Sequence, residues 1–141
     1  MTLTLELAQT IIGTSLEKGR EMNLNPLAVV VLDAGGYMKA MAREDGTSTL
    51  RPDIAKGKAY GAIAMGMGSR ALYKRAQEQP FFINSLNNLA KGYLVPVPGG
   101  VLIRSNREII GAVGITGDTS ENDEVCAISG IIAAGFTADP G

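Results

Sequence analysis

The chain has 141 residues, 45% of them hydrophobic, with 13 basic and 14 acidic side chains and a formal net charge of −1. Length and apolar content lead us to expect one globular domain over residues 1–141, while the balanced charge and 5% aromatic content give no warrant for a nucleic-acid partner. Histidine is absent and cysteine occurs once, which excludes a histidine-based nucleophile triad, an HExxH zinc site, a Cys-rich zinc site and an intrachain disulfide.

No signal-peptide pattern opens the sequence and no apolar run approaches the length of a membrane helix, so a cytoplasmic protein with no membrane partner is expected. Around residues 5–23, Leu3, Leu7, Ile11, Ile12 and Leu16 recur at roughly helical intervals, with Glu6, Gln9, Glu17, Lys18 and Arg20 mostly on other faces. That spacing predicts an amphipathic helix stopped by the Asn23–Pro26 segment. Leu27–Leu32 is almost continuously apolar and reads as a central strand covered on both faces. Asp33–Gly36 then turns the chain, and Tyr37–Arg43 returns as the second strand of a hairpin. Asp33 suits a hydrogen bond to the turn backbone, with ligand contact as the other reading. Arg43 is either a surface cation or a contact for a bound anion.

Glu44–Pro52 reads as a loop, followed by one long helix from Asp53, its cap, through Ala76. Each glycine inside that helix costs about 0.5–1 kcal/mol relative to alanine. Close approach by a sheet or another helix is the simplest compensation, with Ala55, Ala59, Ala62, Ile63, Gly66 and Met67 as a low-relief packing stripe. Lys56 and Lys58 fall on different faces, so at most one points into a given pocket. Arg70, Lys74 and Arg75 form a basic end, solvated or able to hold a phosphate; neither a GxxxxGK[ST] motif nor a dinucleotide fingerprint is present. From Pro80 a short helix or structured turn is expected, with Phe81, Phe82 and Leu86 pinning it to the core or a Phe covering a pocket. Val101–Ile103 begins a strand, Arg104–Arg107 a hairpin turn, and Glu108 the last strand.

Gly111–Phe136 then reads as strand, tight turn, helix. Asp118, Thr119, Ser120, Glu121, Asp123 and Glu124 crowd the helix start, where acidic groups favour the dipole. Capping alone explains them. The functional reading adds a small polar pocket formed by Thr116 and the Gly114–Gly117 backbone, with Asp118, Glu121 or Asp123 transferring a proton if burial raised its pKa. Val125, Ile128, Ile131 and Ile132 supply the apolar surface of this helix, and Cys126 reads as a packing residue. Together the elements predict an α/β fold, a mainly antiparallel sheet of about four strands or more flanked by helices.

The assembled motifs VVLDAGG, DIAKGKA, VPVPGGVLI, EIIGAVGITG and NDEVCA resemble, in order and spacing, the GlcG-like and HbpS-like family, also described as haem-degrading-domain proteins. The resemblance covers about Leu5 to Phe136 and implies a profilin-like fold and homo-oligomers. By motif position it selects Asp33 in an Asp-x-Gly turn, Lys58 in a Lys-Ala helix motif, Thr116 after the Gly-aliphatic pair, and Asp123 and Glu124 at the helix start. It also implies haem as a cofactor in some relatives and carboxylate catabolism in others. Haem coordination in relevant relatives uses histidine, which this chain lacks, leaving Tyr, Met or Cys126 as ligands in principle.

The leading expectation is a binding protein or enzyme (isomerase, lyase or hydrolase) for a polar or carboxylated small molecule. Lys58 or Arg43 would hold the anion while Thr116, Gly114 and Gly117 position its oxygens. A haem-binding or sensing protein and a structural oligomer are the alternatives.

Overall fold

The computed structural model describes residues 1–141. Its elements are α1 (Leu5–Glu21), β1 (Ala28–Asp33), β2 (Met38–Arg43), α2 (Arg51–Met65), α3 (Ser69–Glu78), α4 (Pro80–Leu89), β3 (Gly100–Ser105), β4 (Glu108–Thr116), α5 (Ser120–Ala133) and β5 (Thr137–Asp139). The strands form one five-stranded sheet in the order β2-β1-β4-β3-β5, with every pairing antiparallel. Helices cover both faces.

Strand periodicity sorts the core into two halves. Val29, Val31, Val101, Ile103, Val113 and Ile115 meet α1 and α5 on one face. Ala28, Val30, Leu32, Leu102 and Ala112 meet the alanines of α2 on the other. β1 therefore needs apolar side chains in both registers, which is why its run is unbroken. Its hairpin turn closes as expected: the Asp33 carboxylate accepts from the amides of Gly35 and Tyr37 at 2.9 and 3.0 Å, and Gly36 supplies a φ of 84°.

The glycines of β3 and β4 bring α2 down onto the sheet. Gly100 and Gly114 stand opposite one another. A Cβ on Gly114 would lie 1.8 Å from the Ala55 carbonyl oxygen, and one on Gly100 would lie 2.2 Å from that of Lys58. The helix backbone thus rests on sheet backbone, and Ala55, Ala59 and Ala62 complete the contact as the small-residue stripe predicted.

The long helix expected over Asp53–Ala76 is two helices. It starts two residues earlier, at Arg51, with Pro52 in its first turn, and it stops at Gly66, whose φ of 67° is left-handed. Gly68 then sits against Pro140, and α3 begins at Ser69. Gly66 and Met67 consequently leave the packing stripe. Within α4, Ile83 rather than Phe81 or Phe82 is buried, joining Leu72 and Leu94 in a small cluster, whereas Phe81 is 88% exposed. On α5 the buried face runs through Cys126, Ala127, Gly130 and Ile131, leaving Val125 and Ile132 exposed. Strand β5, three residues long, was not foreseen.

Gly114→Ala should lower stability by about 3 kcal/mol or more, because the added methyl meets a carbonyl oxygen fixed in the helix and not a movable side chain. Urea unfolding checks this: the midpoint should fall with the denaturant slope unchanged.

Candidate functional site

Strand β4 ends at Thr116, and α5 begins after the Thr119 cap, whose hydroxyl accepts from the Asn122 amide at 3.2 Å. Between them Gly117 adopts a φ of 145°. This corner gathers most of the charged groups that the sequence singles out, although in different roles.

Lys58 and Asp123 meet at its centre. The Lys58 Nζ lies 3.2 Å from the Asp123 Oδ2 and donates to the Ile115 carbonyl at 2.8 Å, with side chains 2% and 1% exposed. The other Asp123 oxygen accepts from the Asp118 amide at 3.0 Å. Gly99 makes room for the ammonium, since a Cβ there would fall 2.8 Å from Nζ. Burial pushes the Lys58 ammonium below its ordinary pKa and the Asp123 carboxyl above its own, while their mutual attraction opposes both shifts. Beside this pair, Arg70 of α3 grips Glu124 of α5, with Nε to Oε2 and Nη2 to Oε1 both at 3.0 Å. The α5 start is therefore bound to α2 and α3 from the opposite layer.

The remaining acids divide between structure and solvent. Asp118 accepts from the Asn122 side chain at 2.8 Å and from the amides of Asn25 and Thr119 at 3.0 and 2.9 Å, and these bonds hold its carboxyl below its ordinary pKa. Glu121 is exposed. Cys126 is fully buried, and burial together with the Asp123 charge pushes its thiol up to about 11.

A polar cavity of about 240 Å³ opens beside Gly117, between Asn25, the Gly46–Ser48 loop and Arg51. Thr116, 1% exposed, accepts from Arg51 Nη1 at 3.0 Å and so fixes the guanidinium. Gly114 lies under α2 and away from this opening. Arg43 lines a separate hollow with Arg20, Glu44 and Asp45. It stands opposite Ala28 from the far side of β1, two strand spacings or about 10 Å from Thr116. Arg51 escaped the sequence reading, although Pro52 beside it was a helix-start signal.

A second cavity, about 430 Å³, lies between α2 and the segment after α4 and is lined by Tyr37, Lys56, Tyr60, Leu89, Lys91 and Tyr93 among others. Tyr60 and Tyr93 meet edge to face with ring centroids 6.3 Å apart, and the Lys56 ammonium sits 5.6 Å over the Tyr93 ring. No carboxylate lines this cleft. Its residues come from distant stretches, and nothing in their local spacing marks them.

A five-stranded antiparallel sheet between two helical layers, with two polar-rimmed cavities on the α2 side, defines a small α/β domain with room for ligands. The chain belongs to the HbpS-like family, whose model, described as haem degrading protein HbpS-like, matches residues 3–132. An uncharacterized 15.0 kDa protein in the dhaT-dhaS intergenic region of Citrobacter freundii is 31% identical over 127 residues, covering 89% of this chain and 87% of that protein. The PduOC:heme complex superposes with a TM-score of 0.87 at 23% identity, over 96% of this chain and 97% of that one. Klebsiella pneumoniae protein ORFY also superposes with a TM-score of 0.87, at 26% identity, over 96% of this chain and 92% of its own. No helix is long and apolar enough to cross a membrane.

Lys58→Met should cost about 3–5 kcal/mol by leaving Asp123 buried without its partner, and adding Asp123→Asn should recover at least about half of that loss. The penalty should also shrink on acidification. With Lys58 gone, the folded-state pKa of Asp123 rises further above its unfolded value, so the single variant loses stability as pH rises through that range. Urea midpoints of the two variants at acidic and neutral pH test both points.

Proposed function

We propose that this chain is a haem-binding domain and that the Tyr60–Tyr93 cleft receives the tetrapyrrole. The observation that carries the reading is the make-up of that cleft: two packed phenol rings and Leu89 as apolar wall, Lys56 and Lys91 at the rim, and no opposing carboxylate. Its volume falls in the range of small-molecule sites. The family description names haem degradation, and PduOC, which shares the fold, is in complex with haem.

The donor set fits a histidine-free site. Tyrosine is an established axial ligand of haem iron, and Tyr93, 56% exposed, presents its ring to the opening. Lys56 and Lys91 would face the two propionates as cations. Cys126 is unsuited, being enclosed and protonated well above neutral pH. A hollow beside Tyr37 and Ile109 is larger, at about 650 Å³, but its lining sets Asp33 and Glu108 beside Lys39, whereas the charged side chains of the tyrosine cleft are both cations. Bound haem would supply redox and small-ligand chemistry at its iron. The chain's residues would bind it, orient it and limit water. Asp118 and Asp123 take no part in this reading, since Asp123 is held by Lys58 and Asp118 by three donors.

Titration of the purified protein with hemin should give a saturable, one-to-one Soret change with the spectrum of a phenolate-ligated ferric haem. Tyr93→Phe should change that spectrum and Lys56→Ala should weaken binding by about tenfold, the loss of one charge-assisted contact. Tyr73→Phe, on α3 outside the cleft, serves as the control. Non-saturating absorbance, or spectra indifferent to Tyr93→Phe and Tyr60→Phe alike, would remove the proposal.

A further inference from the structure

We infer that the cavity beside Arg51 is a second binding site, for a compact carboxylate, independent of the tyrosine cleft. Arg51 is half-buried, forms no ion pair, and uses Nη1 on the Thr116 hydroxyl. Every other cation in the inner half of this corner is matched: Lys58 by Asp123 and Arg70 by Glu124. A guanidinium held in place with its charge unanswered is the half of a recognition pair that takes a planar carboxylate at two points.

The cavity walls agree with that assignment. None of the seven lining residues is hydrophobic. The amides of Gly46, Ser48 and Gly117 and the Ser48 hydroxyl donate to no acceptor in the protein. Two acids flanking the cavity are turned to other partners, Glu44 to the Leu27 amide and Arg20, and Asp118 to Asn25, Thr119 and Asn122, while Asp45 and Glu121 are exposed to solvent. Donors without acceptors around a fixed cation select an anion rich in acceptor oxygens. The volume of about 240 Å³ lies below the range of drug-sized ligands, which restricts the occupant to a short-chain acid. Thr116 sets the direction of the guanidinium, and so acts as a positioning residue rather than a contact.

The test is titration of the isotopically labelled protein with acetate, malonate, phosphate and sulfate at constant ionic strength, followed by amide NMR. Acetate or malonate should shift the Gly46, Ser48 and Gly117 amides along saturable curves, while the cleft amides of Lys56, Tyr60 and Tyr93 stay still. Arg51→Gln should raise the fitted dissociation constant at least about tenfold. Arg51→Lys keeps the charge but lacks the planar fork, so it guards against a loss of fold caused by removing the charge and should weaken binding by a similar factor. Phosphate or sulfate saturating more tightly than either carboxylate would overturn the assignment to carboxylates. Shifts that fail to saturate, or that survive in Arg51→Lys unchanged, would overturn the site. Hemin binding by the same variants separates this outcome from the fate of the tyrosine cleft.

Discussion

The architecture depends on backbone meeting backbone where α2 crosses the Gly100–Gly114 pair. Neither glycine could carry even a methyl group without striking a helix carbonyl. With the helix seated this low, Lys58 can extend along the sheet past Gly99 and place its ammonium at the end of β4. A helix standing off on larger side chains, at the ordinary spacing of about 10 Å for packed layers, would leave that charge short of Asp123. The low seat and the buried pair are thus one constraint seen at two levels.

That pair is better understood as a device for position than as a source of net stability. Removing two charges from water costs several kcal/mol per ion, and attraction inside the protein repays this only when geometry and further hydrogen bonds are good. Here the Ile115 carbonyl and the Asp118 amide provide them. The consequence is a fixed relation between the end of β4, the first turn of α5 and the α2 helix. Arg70 and Glu124 repeat the device nearer the surface. Thr116 and Gly117 lie in the segment these bonds immobilise, so the Arg51 guanidinium rests against a rigid support.

Much of the fold was legible because local pattern and burial agree. The unbroken apolar run of β1, the Asp33 turn, the glycine-bounded β4 and the small-residue face of α2 each have one simple structural solution. The α2–α3 break was missed because Gly66 and Gly68 lie within a continuous helical pattern, and single glycines are tolerated in helices. The buried face of α5 was misjudged because small residues, Ala127 and Gly130, pack against α1 where isoleucines were expected to. Of the candidate site, Thr116 and Asp123 stood out from the end of β4 and the polar segment after it, and Lys58 from motif position, but pairing of Lys58 with Asp123 depends on sheet order. Tyr60 and Tyr93 are brought together only by the return of the chain after α4, which local spacing does not encode.

The cluster formed by Leu72, Ile83 and Leu94 stands apart from the two halves of the sheet core. Tyr60 rides on α2, which is anchored along the central strands, whereas Leu89, Lys91 and Tyr93 belong to an excursion stapled by that handful of apolar side chains and by bonds such as Val95 to the Gly57 carbonyl. Segments with few buried contacts open at lower free energy than the core they rest on. One jaw of the tyrosine cleft is accordingly fixed and the other compliant, so the gap between them is the dimension that yields first to a guest of a different thickness.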